Sequence, residues 1–338
     1  MTNAGDVVCS NPDCRFLETG ECVEGFDIEN CPRLKPERTA SDSQITESVN
    51  DEEQAITDII LPKAERLMLE EASSIMRTAS TKIVAIIGPT DCGKTSLIAS
   101  LCYLYQQGPV RGLGFAKSRT FLAFERACHD ARAPSLRNAP TMEHTQVGGV
   151  TFFHLALKGD GSRARDLLLG DRNGEDYRSV TDDTSIAQEF YEVHRANVIT
   201  MLVDGESLLD LGKRHGVKRE VRLILQGLLE GKAVNARQRL ALVLTKYDSI
   251  ARAPDEQKRN AFEEFETLRN TIADRYGNVF ASVNSFQIAA CPSRPDCEFG
   301  YGVGELLEFW MAPDTITIPD ERVLPKSSRA MGRVPLSV

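Results

Sequence analysis

The stretch Lys82–Ser96, KIVAIIGPTDCGKTS, decides how the rest of the chain is read. Ile83, Val84, Ala85, Ile86 and Ile87 form a short apolar run rich in β-branched residues, which predicts a strand covered on both faces. Gly88-Pro89-Thr90-Asp91-Cys92-Gly93-Lys94-Thr95 then fits G-x-x-x-x-G-K-[ST], a phosphate-binding loop or P-loop. Gly88 and Gly93 permit a backbone wrap that turns amide N–H groups toward phosphate oxygens. Lys94 places an ammonium at the β- and γ-phosphates, and the Thr95 hydroxyl is a Mg²⁺ ligand. A helix from about Thr95 to Gln106 presents its positive end to the same phosphates.

Downstream, strand and helix patterns alternate. A long passage from Gly108 to Gly149 contains apolar residues at helical spacing in Ser118–Ala131, SRTFLAFERACHDA. Val150–Leu157 and Asp166–Gly170 read as an antiparallel hairpin turned at Asp160-Gly161. A helix around Ser185–His194 precedes a buried strand at Val198–Val203. A helix over Val217–Leu229, a strand at Leu240–Leu244, a charged helix over Pro254–Arg275 and a last strand at Ser285–Ala290 follow. Gly302–Met311 closes the domain with Leu306, Leu307, Phe309 and Trp310 facing inward. This alternation predicts an α/β fold with a mostly parallel sheet, one antiparallel hairpin strand and flanking helices. Ligands of such sheets bind at the carboxyl ends of the strands.

Three further motifs fall at such ends. Asp171 closes the apolar run LLLGD, where a Walker-B carboxylate holds Mg²⁺, and Gly174 follows in D-x-x-G-E-D. Thr245-Lys246-Tyr247-Asp248 closes the Leu240–Leu244 strand. A carboxylate fixed there accepts two N–H bonds from guanine N1 and N2, which adenine does not offer, while the Lys246 stem covers the base face. Ala290-Cys291-Pro292-Ser293 closes the last strand and offers a backbone amide to guanine O6.

Upstream, Cys9, Cys14, Cys22 and Cys31 lie in a short segment interrupted by Pro12, Gly20, Gly25 and Pro32. Four thiolates in a loop-rich segment with little core suit tetrahedral Zn²⁺, although the spacing departs from paired C-x2-C knuckles. Independent reduced cysteines in a tail are the other reading. Glu37–Glu53 carries six acidic residues against Arg38 and almost no large apolar ones, which predicts an extended linker. Leu61, Ala64, Leu67, Met68, Ala72, Ile75 and Met76 recur at helical spacing after Pro62, as in an amphipathic helix packed on the nucleotide domain. The expected division is therefore a cysteine-rich segment (1–36), an acidic linker (37–60), the amphipathic helix (61–80), the P-loop domain (81–312) and an irregular tail (313–338).

The 338 residues, 41% of them hydrophobic, are enough for one large α/β domain with appendages. A net charge of −9 without a long basic cluster disfavours nucleic acid as the main partner. No apolar run reaches membrane-spanning length and the N-terminus lacks a signal peptide's apolar core, so a cytoplasmic protein with mostly reduced cysteines is expected.

The ordered set GPTDCGKT, DRNGED, TKYD and AACPS resembles the TRAFAC-type P-loop GTPases over about Thr81–Met311. SRTFLAFERACHDA, the D-x-x-G-E-D loop and the cysteine-rich leader are most similar to the bacterial double-GTPase group, whose members are encoded in pairs within predicted conflict systems. The resemblance implies GTP/GDP and Mg²⁺ as ligands. It implies a phosphate loop of Gly88, Asp91, Cys92, Gly93, Lys94, Thr95 and Ser96, a γ-phosphate sensor at Asp171 and Gly174, base reading by Lys246 and Asp248, and Cys291 beside the base. Thr141, Thr145 and Thr151 all qualify as the switch-one threonine, with Thr145 preferred. Two features depart from the pattern. Glu175 stands where many such GTPases place a water-orienting glutamine, and no arginine is assignable as a finger in cis, which leaves the rate lower by roughly 10³–10⁵.

The expected activity is a GTP-binding switch with slow Mg²⁺-dependent hydrolysis, acting with a protein partner such as a second GTPase or an activating protein. An ATP-using P-loop protein with an accidental TKYD is one alternative. The other is an interaction module that holds nucleotide without significant turnover.

Overall fold

The computed structural model describes residues 7–9, 34–36, 64–131, 149–159, 161, 163–292 and 296–314. The chain divides into two compact units, Met1–Ile59 and Ile60–Val338. In the first, β1 (Val7–Cys9) pairs antiparallel with β2 (Leu34–Pro36), with Val8 opposite Lys35. Cys14, Cys22 and Cys31 and the acidic linker lie outside the described residues.

The second unit is built on β3 (Thr81–Ile87), the strand expected from the apolar run before the P-loop. It is the middle of a seven-stranded sheet ordered β4-β5-β6-β3-β7-β8-β9. The other strands are β4 (Gly114–Lys117), β5 (Thr151–Lys158), β6 (Arg165–Asp171), β7 (Val198–Asp204), β8 (Arg239–Thr245) and β9 (Ser282–Gln287). Pairing is parallel from β6 through β3 and β7 to β9, while β5 runs antiparallel to both β4 and β6.

Period-two alternation along β3 splits the core between the two sheet faces. Val84 and Ile86 pack with Leu97, Ile98 and Leu101 of α2 (Lys94–Gln107), Phe124 of α3 (Phe121–Ala131) and Trp310 of the C-terminal helix. Ala85 and Ile87 pack on the opposite face with Val221, Ile224 and Leu225 of the long helix Arg214–Glu230 and with Phe265 of the helix Asp255–Tyr276. A third cluster joins Ala72 and Ile75 of α1 (Leu69–Thr78) to Ile83, Phe152 and Leu168. Within this core Trp310 Nε1 donates to Thr200 Oγ1 at 2.9 Å. Arg239 donates to the carbonyls of Phe309, Trp310 and Ala312, closing the C-terminal end of the helix Val303–Met311.

Several elements differ from the sequence expectation. The amphipathic helix begins only at Leu69, because Ala64 has a φ of 61° and Leu67 exchanges two backbone hydrogen bonds with Phe152 at the edge of β5. The helix expected over Ser185–His194 is broken at Phe190 into a 3₁₀ turn, Thr184–Glu189, and α5 (Tyr191–Arg195); α4 is the preceding Gly174–Ser179. The last strand lies three residues earlier than expected. Ile288, Ala289 and Ala290 are buried beyond its end: Ile288 N still donates to the Leu244 carbonyl at 2.8 Å, while Ala289 bridges to Tyr301. The short strand β4 has mostly exposed side chains and no alternation to announce it.

Candidate functional site

The P-loop leaves β3 at its carboxyl end and enters α2. A Cβ on Gly88 would lie 2.6 Å from Cys92 Sγ and 3.0 Å from Leu202 Cβ, so the tight approach to β7 requires glycine. Gly93, with φ 96°, is the residue that turns the loop into the helix, and Asp91 also sits in the left-handed region at φ 62°. Cys92 is buried, and burial pushes its thiol up to about 11, so it packs rather than reacts. Lys94 is buried as well, and its Nζ donates to the Gly88 carbonyl at 2.9 Å and the Pro89 carbonyl at 2.8 Å. Thr95 and Ser96 follow in the first turn of α2, half-buried.

Asp171 is the last residue of β6, next to β3, with no exposed surface. Its Oδ2 accepts from Arg66 Nη1 at 3.2 Å, and its backbone carbonyl accepts from Thr151 Oγ1 at 3.5 Å. Gly174 lies directly against the P-loop: a Cβ there would fall 2.5 Å from Thr90 N and 2.6 Å from the Pro89 carbonyl carbon. The Asp171–Gly174 loop is therefore in backbone contact with the phosphate loop. Asn173 caps α4 by accepting from Glu175 N, and Glu175 itself is exposed.

The same loop is tied down from below by a carboxylate that the sequence did not reveal. Glu192 of α5 is fully buried and accepts from Arg172 Nε at 2.7 Å, Arg172 Nη2 at 3.2 Å and the Tyr177 hydroxyl at 3.0 Å. The Arg172 guanidinium also lies 4.6 Å over the Phe190 ring. Burial pulls the Arg172 pKa down, but Glu192 outweighs it and the net shift is upward, so the pair is ionic. This clamp explains the break at Phe190, since a continuous helix would not bring both Phe190 and Glu192 under Arg172.

At the end of β8, Lys246 adopts a left-handed backbone, φ 52°, and Asp248 is the second residue of the short helix Tyr247–Arg252, nearly buried. Lys246 Nζ donates to Asp204 at 3.2 Å and Glu206 at 3.1 Å. Burial lowers its pKa, yet these carboxylates outweigh that and hold it above the ordinary lysine value. Asp248 Oδ2 accepts from Arg252 Nη2 at 2.7 Å, an i,i+4 pair. Cys291 approaches from beyond β9, with Sγ donating to the Ser96 carbonyl at 3.5 Å. Burial, then the charge of Asp248, pushes its thiol up to about 12.

The structure thus brings Gly88, Asp91, Cys92, Gly93, Lys94, Thr95, Ser96, Asp171, Gly174, Glu175, Lys246, Asp248 and Cys291 to one end of the sheet. Thr141 and Thr145 lie outside the described residues, and Thr151 pairs with Asp171 across the sheet. Among the described residues, no cluster of three or more His, Cys, Asp or Glu side chains is placed to hold a metal ion by itself. The zinc expectation concerns Cys9, whose backbone alone is described, and Cys14, Cys22 and Cys31 outside the described residues. Arg66, Glu192 and Arg252 were not read as site residues. Only Arg252 had a local signal, the i,i+4 spacing from Asp248.

A family model described as Double-GTPase 2 matches residues 82–311. No curated protein sequence matches the chain significantly. Among solved structures the chain is similar to the signal recognition particle receptor SRb-GTP/SRX complex from Chaetomium thermophilum, at 16% identity and a TM-score of 0.39. That match covers 69% of this chain and 96% of the other. It is also similar to the Saccharomyces cerevisiae Ski7 GTPase-like domain bound to GTP, at 15% identity and a TM-score of 0.35, covering 63% of this chain and 44% of the other.

Proposed function

The chain belongs to the Double-GTPase 2 family, and we propose that it is a GTP-binding switch that hydrolyses GTP slowly with Mg²⁺. The observation that carries the reading is the convergence of three strand ends. The P-loop after β3, the Asp171–Gly174 loop after β6 and Asp248 after β8 lie together, with Gly174 in backbone contact with Thr90. Lys94 and the amides around Gly93 would hold the phosphates. Asp248 would select guanine, with Lys246 over the base and Cys291 beside it.

The residues present fit a magnesium ion. The Thr95 hydroxyl and the Asp171 carboxylate are hard oxygen donors, and Asp171 is a fully buried carboxylate already paired with a cation. When bound, the metal would neutralise charge on the phosphates. Gly174, lodged against the loop that takes the phosphates, is placed to move when a γ-phosphate arrives. Slow turnover follows from Glu175, a carboxylate at the position of a water-orienting amide, whose charge opposes that of the γ-phosphate. A protein partner, a second GTPase chain or an activating protein of a multi-protein bacterial conflict system, would then supply what is missing.

The leader is a separate part of the proposal: Cys9, Cys14, Cys22 and Cys31 together would hold one Zn²⁺.

The phosphate assignment is tested with Lys94→Ala. Losing the one P-loop ammonium is expected to weaken labelled GTP at least tenfold, about 1.4 kcal/mol. Unchanged binding by a folded Lys94→Ala protein refutes the assignment.

A further inference from the structure

The segment Ala64–Met68 lies before the part of the chain that the family model matches, yet it reaches the phosphate end of the sheet. It is braced there. Leu67 and Phe152 exchange backbone hydrogen bonds at 2.9 Å, Ala123 N donates to the Ala64 carbonyl at 3.1 Å, and Arg126 pairs with Glu65 at 2.8 Å. Phe152 neighbours Thr151, which stands opposite Asp171 across the sheet. Arg66 is thereby delivered to the last residue of β6. Its guanidinium lies 5.0 Å over the Phe153 ring and donates to Asp171 Oδ2 at 3.2 Å.

A carboxylate with no exposed surface requires a cationic or hydrogen-bonding partner. Arg66 is that cation here, and its own side chain keeps 29% exposure. Magnesium bound through Asp171 would bring a second, doubly charged cation to the same oxygens. Two cations do not share one carboxylate without mutual repulsion. The arginine has somewhere to go, because its head already borders water while its stem and guanidinium face rest on Phe153.

We propose that Arg66 competes with magnesium for Asp171, a latch supplied by the chain itself that holds the metal's carboxylate until the metal displaces it. The proposal rests on the reading of this site as a magnesium–guanine-nucleotide site. It makes Mg²⁺, rather than nucleotide alone, the event that releases the Arg66 side chain from the end of β6.

The experiment is the Mg²⁺ dependence of labelled GDP binding by the full chain, compared for wild type, Arg66→Met and Arg66→Lys. Methionine keeps an apolar stem over Phe153 and removes the charge. The half-saturating Mg²⁺ concentration is expected to fall about tenfold in Arg66→Met and to stay near wild type in Arg66→Lys. Affinity measured in a chelator should be the same in all three. If Arg66→Met misfolds, Arg66→Gln replaces it with the same expectation. An unchanged or raised Mg²⁺ requirement in a neutral variant that binds GDP normally in chelator overturns the latch alone. Failure of the wild-type chain to bind guanine nucleotide overturns the site reading, and the latch with it.

Discussion

On the proposed reading, Asp248 carries the choice of base. Its carboxylate is nearly buried at the end of β8, and Arg252 occupies part of one oxygen, which orients the group. A carboxylate oxygen retains lone pairs for a second donor, so the arginine and guanine N–H groups can share it. Xanthine replaces guanine's exocyclic amine with a carbonyl, which an ionised carboxylate repels and an amide does not. Asp248→Asn is therefore expected to weaken GTP and strengthen XTP, moving their affinity ratio more than tenfold, since each such bond is worth roughly 1.5–3 kcal/mol. The check is competition of GTP and XTP for both proteins; a ratio that does not move makes TKYD an ordinary turn. The P-loop and Asp248 are legible because each lies in one short continuous motif at the end of an apolar strand; Arg252 is not, although it stands only one helical turn from Asp248. The partner of Asp171 was not legible, because Arg66 stands 105 positions away and meets it only through the pairing of Leu67 with β5.

At the scale of elements, the hairpin β5–β6 carries a buried histidine that ties the edge of the domain together. His154 Nε2 donates to Asp166 Oδ1 at 2.8 Å, while Nδ1 accepts from Arg119 N at 3.0 Å. The His154 carbonyl accepts from Ser118 Oγ at 2.6 Å and its N–H donates to Thr120 Oγ1 at 2.9 Å, so one residue fixes the turn between β4 and α3. Burial lowers its pKa, Asp166 opposes that, and Arg119 and Lys117 reinforce it. The folded protein thus holds His154 neutral, whereas the unfolded chain protonates it near pH 6.5. Below that pH the unfolded state binds the extra proton, so this contribution is complete above about 6.5 and is lost as pH falls toward the depressed folded value. The loss is at most about 1.4 kcal/mol per pH unit. Urea unfolding at pH 7.5 and 5.5 should show a larger acid loss for wild type than for His154→Gln. Equal losses would contradict the account.

Elements also show where sequence reading stops. The central strands announced themselves by apolar runs flanking glycines. β9 was displaced because Ile288–Ala290 are buried without being paired as a strand. The α5 region departs from the expected continuous helix because the fold buries Glu192, a residue type usual at the surface, to clamp Arg172 and Tyr177.

For the whole molecule, the unit that carries the P-loop and the cysteine-bearing unit are compact separately. No helix among the described residues is long and apolar enough to cross a membrane. Cys92, Cys102 and Cys128 are buried within the nucleotide unit, so zinc, if held by Cys9, Cys14, Cys22 and Cys31, is expected at about one equivalent per chain. That content should be insensitive to Cys92→Ala. Metal analysis after reducing, chelator-free purification decides this, and finding no zinc removes the claim.

The central claim is that the three strand ends form one guanine-nucleotide site. Equilibrium competition of unlabelled GTP, GDP and ATP against labelled GDP, in Mg²⁺, tests it most directly. The account predicts that GTP and GDP displace the label at concentrations at least tenfold below ATP, the margin expected from the hydrogen bonds at Asp248 that adenine cannot make. Displacement by ATP as effective as by GTP, or no binding of the labelled GDP, would contradict it.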